Sequence, residues 1–224
     1  MISVRRHIGS LLALSIASSC AFAGGESPVS AGDTAWMLVA TALVLFMTLP
    51  GLAFFYGGGL ERSKNALSIL MQCFAITCVI SLLWFMCGYG LAFGNGKSIQ
   101  AWLGWGHWLM ADISRDGVVG SIPETVFATF QMTFAIITPA LVIGGVAERM
   151  RFGAVIAFSV AWMLSVYLPV CHWVWGGGWF AQIGLLDFAG GTVVHVNAGV
   201  GAIVAALVLG IAVASHPPRC RLTT

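Results

Sequence analysis

The chain of 224 residues has very little charge. Asp, Glu, Lys and Arg make up 8% of it, whereas 59% is hydrophobic and the mean hydropathy is +0.95. Soluble domains carry about 25% charged residues, so a soluble enzyme is excluded. The formal net charge is only +2 and is scattered over short connectors. This is too little for the basic surface that DNA or RNA requires, and no nucleic-acid partner is expected.

Charge is absent altogether from five long stretches of the sequence. They are residues 34–60, 65–96, 125–147, 152–186 and 188–218. Each stretch can hold the roughly 20 apolar residues that cross a bilayer as a helix. The predicted fold class is therefore an all-α polytopic membrane protein with five transmembrane helices.

Cysteine does not occur in a pattern that indicates a disulfide framework or a metal site. Four of the six cysteines, Cys73, Cys78, Cys87 and Cys171, lie in apolar stretches. A thiol there packs as a small hydrophobic side chain. We expect no disulfide, no metal and no cofactor.

Residues 1–23 have the pattern of a secretory signal peptide. Arg5 and Arg6 precede a short apolar run, and Ala21-Phe22-Ala23 has the small residues of a cleavage site. An uncleaved extra helix is the alternative. Cleavage places the mature N-terminus outside, and basic residues then fall in the three inner segments, as the positive-inside rule requires. The expected location is the cytoplasmic (inner) membrane, crossed several times.

Two ionisable residues near the start of the fifth apolar stretch are candidates for function. If that helix begins near Phe188, His195 lies about 12 Å along its axis. An imidazole at this depth suits a proton relay or a polar station in a pore, and equally a hydrogen bond to a neighbouring helix. Asp187 precedes the helix, where capping of free backbone N–H groups is favoured over direct binding of a cation.

Aromatic residues near one membrane surface are further candidates. Phe130 and Phe134 are four residues apart and share a helix face, and Trp175 ends the fourth stretch near the same surface. Ring faces can bind a small cation, although packing or interfacial anchoring is the more common role. Gln131 and His172 are more typical of hydrogen bonds between helices than of ligands.

Four sequence blocks resemble the family of ammonium transporters, methylammonium permeases and Rhesus proteins. The most specific is the block that begins Asp-Phe-Ala-Gly-Gly-Thr and ends at His195. The blocks are residues 34–67, 146–152, 171–178 and 187–195.

The resemblance implies roles for these residues. In the family an external vestibule recruits ammonium at aromatic rings, whose positions Phe130, Phe134 and Trp175 match, and Phe134 would also form half of a gate. His195 matches the first of two pore histidines, and Asp187 matches a carboxylate near the recruitment site. The implied substrate is ammonium or ammonia. The implied partners are two further copies in a homotrimer and a PII-type signalling protein.

The chain departs from the family pattern in length. Family members have eleven helices built as two inverted five-helix repeats, and residues 24–214 correspond to the first repeat alone. The turn after the first helix is also one glycine longer. Residues 215–224 have no family character, and we interpret this tail as the result of a frameshift or truncation that leaves the chain inactive.

Two other functions remain open. His172 and His195 lie on neighbouring helices, so the chain could be a haem-ligating membrane electron-transfer protein. It could also be a structural membrane fragment without activity.

Overall fold

The computed structural model describes residues 29–57, 66–146 and 149–210. Within these residues five helices are long and apolar enough to cross a membrane, which confirms the prediction. We refer to them as the first to fifth spans: Ala31–Phe55, Leu67–Phe93, Glu124–Val146, Phe152–Gln182 and Gly191–Leu209. The predicted signal peptide and the tail lie outside the described residues.

The first span begins at Ala31, because the Ser30 side chain accepts a hydrogen bond from the Asp33 backbone N–H at 3.2 Å. Ser30 is therefore its cap. Regular helix continues to Phe46, and the wider segment Met47–Leu52 contains a break at Leu49, which has extended backbone. A residue that precedes proline is pushed out of the helical region, and Pro50 follows Leu49.

The second and fourth spans each contain one π-helical turn. In the second span the segments are Ala66–Leu83, Trp84–Gly88 and Tyr89–Phe93. In the fourth they are Phe152–Trp162, Met163–Tyr167 and Leu168–Trp175, followed by the short helix Trp179–Gln182. The π turn of the fourth span ends two residues before Pro169, so the wider turn accommodates a residue without a backbone N–H.

A short hairpin stands before the third span. Strand β1, Val118–Val119, pairs antiparallel with strand β2, Ile122–Pro123, and the third span begins at Glu124. The Ser30 N–H donates to the Ser121 carbonyl at 2.8 Å, so the start of the first span lies at the same end of the bundle. We call this end the hairpin end.

The third span is the centre of the bundle. It packs mainly against the first, second and fifth spans and also contacts the fourth, and the second span packs against the fourth. The third and fifth spans approach closely at Gly145, where an added Cβ would lie 2.9 Å from the Ala202 carbonyl oxygen. Small residues permit such contacts between membrane helices.

The fifth span begins later than predicted. Its helical structure starts with a π turn at Gly191 and continues from Asn197 to Leu209, so a start at Phe188 is wrong. The reason is Gly190, which has a φ of +80° in the left-handed region and therefore cannot continue a helix upstream. His195 consequently lies in the first turns of the span and nearer the hairpin end than 12 Å of helix would place it.

Candidate functional site

An aromatic pocket opens at the hairpin end, between the second, third and fourth spans and the segment before the fifth. Its volume is about 240 Å³. Gln131 contributes the polar side chain of its lining. Six aromatic residues provide the rest: Phe93, Phe127, Phe130, Phe134, Trp175 and Phe188.

The three aromatic residues singled out from the sequence form a row of contacts in this pocket, with Phe134 in the middle. The Phe130 and Phe134 ring centroids are 4.9 Å apart with the rings nearly perpendicular, and the Phe134 and Trp175 centroids are 5.7 Å apart. Edge-to-face pairs of this kind stabilise one another. The Trp175 indole N–H donates to the Asp187 carbonyl at 2.7 Å, which fixes the ring in place.

Asp187 caps the fifth span. Its carboxylate accepts hydrogen bonds from the backbone N–H groups of Gly190, Gly191 and Thr192 at 2.8 Å and of Val193 at 3.0 Å. This is the capping role favoured from the sequence. Burial by itself would raise the pKa of the Asp187 carboxyl, but the four donors favour the charged form, so the pKa is lowered.

His195 is connected to this cap through one peptide group. The Gly191 N–H donates to Asp187, and the Gly190 carbonyl on the other side of the same peptide bond lies 3.1 Å from His195 Nδ1. A carbonyl only accepts, so Nδ1–H is the donor. The rest of the His195 side chain is exposed on the outer face of the fifth span.

The structure therefore brings all five predicted site residues into one connected group. The group runs from Phe130 through Phe134, Trp175 and Asp187 to His195. Gly190 belongs to it although sequence reasoning did not single it out as a site residue. Its place between the carboxylate and the histidine, in a glycine pair that begins three residues after Asp187, is the available signal.

A second set of hydrogen bonds fixes the end of the fourth span. His172 is fully buried, with Nδ1 2.8 Å from the Ala92 carbonyl oxygen and Nε2 2.8 Å from the Gln100 carbonyl oxygen. The Gln100 side chain donates in turn to the carbonyl of Gly176, the residue after Trp175. His172 is thus the interhelical hydrogen-bonding residue that the sequence indicates. Both its nitrogens face carbonyl groups, which argues against haem ligation.

The pocket suits a small organic cation or ammonium more than a metal ion. Ring faces attract such a cation by about 0.5 to 2 kcal/mol each. The Asp187 carboxylate contributes negative charge nearby, but its two oxygens already accept four N–H groups. Asp187 therefore shapes the pocket and its field rather than acting as a direct ligand.

Comparisons with known proteins agree with this description. Residues 35–215 match the model of the Ammonium Transporter Family. The chain is 50% identical over 179 residues to an ammonium transporter of Bacillus subtilis (strain 168), covering 80% of this chain and 44% of that protein. It is 48% identical over 203 residues to an ammonium transporter of Aquifex aeolicus, covering 88% of this chain and 46% of that protein.

Solved structures give the same result for the fold. The crystal structure of Candida albicans Mep2 matches with a TM-score of 0.74 and 35% identity, covering 82% of this chain and 40% of that chain. The fold is that of the polytopic helical transporters it matches. The chain belongs to the ammonium transporter family, and it spans less than half the length of these relatives.

Proposed function

We propose that this chain forms one half of a path for ammonium or ammonia across the cytoplasmic membrane. The aromatic pocket is the recruitment site, where Phe130, Phe134 and Trp175 offer their ring faces to ammonium. Phe134 also acts as a gate below the pocket. His195 is the first polar side chain along the path. Asp187 fixes the positions of Trp175 and His195 relative to each other through its hydrogen bonds.

The observation that carries this proposal is the connected group from Phe130 to His195. A cation-binding surface and a possible proton carrier are linked by ring contacts and hydrogen bonds rather than lying on unrelated faces. Three spans and the capping loop contribute to the group. A residue set that served only to pack helices would not need to end at an exposed imidazole.

The orientation and assembly follow the family pattern. We propose that the hairpin end is external, with the mature N-terminus outside. Arg149 and Arg151 at the opposite end then face the cytoplasm, as the positive-inside rule favours. A homotrimer and inhibition by a PII-type protein at the cytoplasmic end are further proposals, supported by membership of the family alone.

Transport requires a second set of spans in addition to these five. The exposed face of the fifth span, with His195 on it, is one wall of a path. In transporters built from inverted repeats the substrate path lies between the two repeats. We therefore infer that the 224-residue chain is inactive alone.

A chimeric transporter tests the function. Residues 35–210 of this chain replace the matching half of the Bacillus subtilis ammonium transporter, and methylammonium uptake is measured in a transporter-deficient strain at low pH. Phe134→Ala and Trp175→Ala should weaken apparent affinity or selectivity, because each removes a ring face. Phe74→Ala, which removes an exposed ring of the second span, is the matched control.

His195 needs a separate readout, since a loss of uptake could reflect a loss of assembly. Uptake by the His195→Ala chimera is divided by the amount of oligomer recovered in detergent. Reduced uptake per oligomer supports the pore role. If uptake and recovered oligomer fall in proportion, His195 is structural, and unchanged kinetics in both aromatic variants would overturn the recruitment site.

A further inference from the structure

One polar atom in the aromatic pocket lacks a hydrogen-bond partner. Gln131 is only 9% exposed, and among the described residues its side-chain oxygen Oε1 is buried without a donor. Gln131 follows Phe130 on the third span and lines the same pocket as Phe134 and Trp175. The sequence favoured a hydrogen bond between helices for this residue, and the described part of the chain supplies none to Oε1.

An unpaired buried amide oxygen is costly. Leaving such an acceptor without a donor costs about 1 to 3 kcal/mol, and native proteins keep few of them. A methionine of similar shape would fill the same space without this cost. A donor that arrives with a ligand in the pocket would satisfy this oxygen.

The neighbouring charged acceptors are already engaged. The Asp187 carboxylate accepts four backbone N–H groups. Glu124 Oε1 accepts the Tyr89 hydroxyl at 2.9 Å, and Tyr89 contacts Phe93 on the other side of the pocket. Among the described side chains that line the pocket, Gln131 Oε1 is the oxygen acceptor without a donor.

We propose that Gln131 is a specificity-determining residue that accepts a hydrogen bond from an N–H of the cation seated on the aromatic rings. Ring faces attract any small cation and do not distinguish one that carries N–H groups from one that does not. A directional acceptor makes that distinction. Gln131 would thus select ammonium and its alkyl derivatives with N–H groups over a quaternary ammonium ion. This inference rests on the proposed recruitment site.

The test compares two cations of equal charge. Methylammonium has three N–H bonds and tetramethylammonium has none. Because every residue that lines the pocket belongs to the described chain, binding can be measured calorimetrically on the 224-residue protein itself in lipid nanodiscs. Gln131→Met removes the acceptor and keeps the side-chain length, and Gln131→Glu restores oxygen acceptors.

The expected result is a selective loss. Gln131→Met should weaken methylammonium binding about tenfold, the value of one hydrogen bond to a charged donor, and leave tetramethylammonium binding within about twofold. Gln131→Glu should recover methylammonium binding. Helical circular dichroism and the melting temperature of each variant establish that it is folded.

Other outcomes separate the two proposals. If Gln131→Met weakens the binding of both cations equally, or of neither, the proposed hydrogen bond to substrate is wrong. The aromatic site still stands in that case, provided that Trp175→Ala weakens the binding of both cations. If the native chain binds neither cation, or if Trp175→Ala has no effect on either, the recruitment site itself is wrong and the role of Gln131 falls with it.

Discussion

The third and fifth spans pack against each other but are buried to very different degrees. Over an 18-residue stretch of each, 56% of the third span is buried and 22% of the fifth. The third span contacts all four other spans. The fifth exposes apolar side chains such as Val196, Val204 and Leu207 together with His195.

This difference in burial distinguishes the site residues whose contacts lie within the chain from those with an exposed face. The pocket rings on the third span contact partner rings within the described residues. His195 on the fifth span has one ring nitrogen bonded and an open face beyond it. The aromatic pocket is therefore lined by contacts within the described residues, whereas the face of the fifth span that carries His195 is open.

The largest effect is expected if the proposed path needs a second set of spans. Expressed alone in a transporter-deficient strain on limiting ammonium at low pH, the chain should give no growth and no methylammonium uptake. The Bacillus subtilis relative expressed in parallel is the positive control. Uptake by the lone chain that disappears on His195→Ala would contradict the comparison of the two spans.

The next effect concerns the start of the fifth span. Gly190→Ala should destabilise the chain by about 2 kcal/mol or more, because it puts a Cβ in the left-handed region and 2.8 Å from Val194 Cγ2. Gly199→Ala is the matched control, since a Cβ there meets nothing within 4 Å. Thermal unfolding in detergent measures both, and equal melting temperatures would show that the glycine does not hold the cap.

Removal of the capping carboxylate should have a somewhat smaller effect. Asp187→Ala leaves four N–H groups without their acceptor and should cost about 1 to 2 kcal/mol at neutral pH, with Asp187→Asn in between.

The effect of Asp187 should also depend on pH. Because the folded-state pKa of its carboxyl is lowered, the stabilisation is fully present above the ordinary carboxyl range. This stabilisation is lost as the pH falls through the lowered pKa of the folded state. Melting temperatures of native and Asp187→Ala protein should therefore converge in acid, and a constant difference across the range would exclude the capping charge as the cause.

The smallest effect is expected at the opposite end. Arg149 donates to the Gly145 carbonyl and, at 2.7 Å, to the Gly210 carbonyl, so it joins the ends of the third and fifth spans. Arg149→Ala should cost about 0.5 to 1 kcal/mol and increase amide exchange near Leu209. Arg151→Ala, which removes an exposed arginine, is the control. Equal exchange in the two variants would mean that Arg149 does not hold the fifth span.

Much of this architecture follows from the sequence because the bilayer sets its length scale. Charge-free stretches locate the five spans, and the resemblance to the family indicates the aromatic residues, Asp187 and His195. The late start of the fifth span could not be predicted, because hydrophobicity does not reveal that Gly190 adopts a positive φ. The orphan oxygen of Gln131 depends on which atoms of four elements surround it, and sequence spacing contains no information on that.

The peptide bond between Gly190 and Gly191 also determines which ring nitrogen of His195 carries the hydrogen. Its N–H faces the negative carboxylate and its C=O faces the imidazole, so the peptide dipole is polarised from Asp187 towards His195. The amide passes no proton, but it fixes the tautomer: in the neutral ring the hydrogen stays on Nδ1. Nε2 is left with its lone pair on the open side, so a molecule arriving at this face meets an acceptor and must supply the donor.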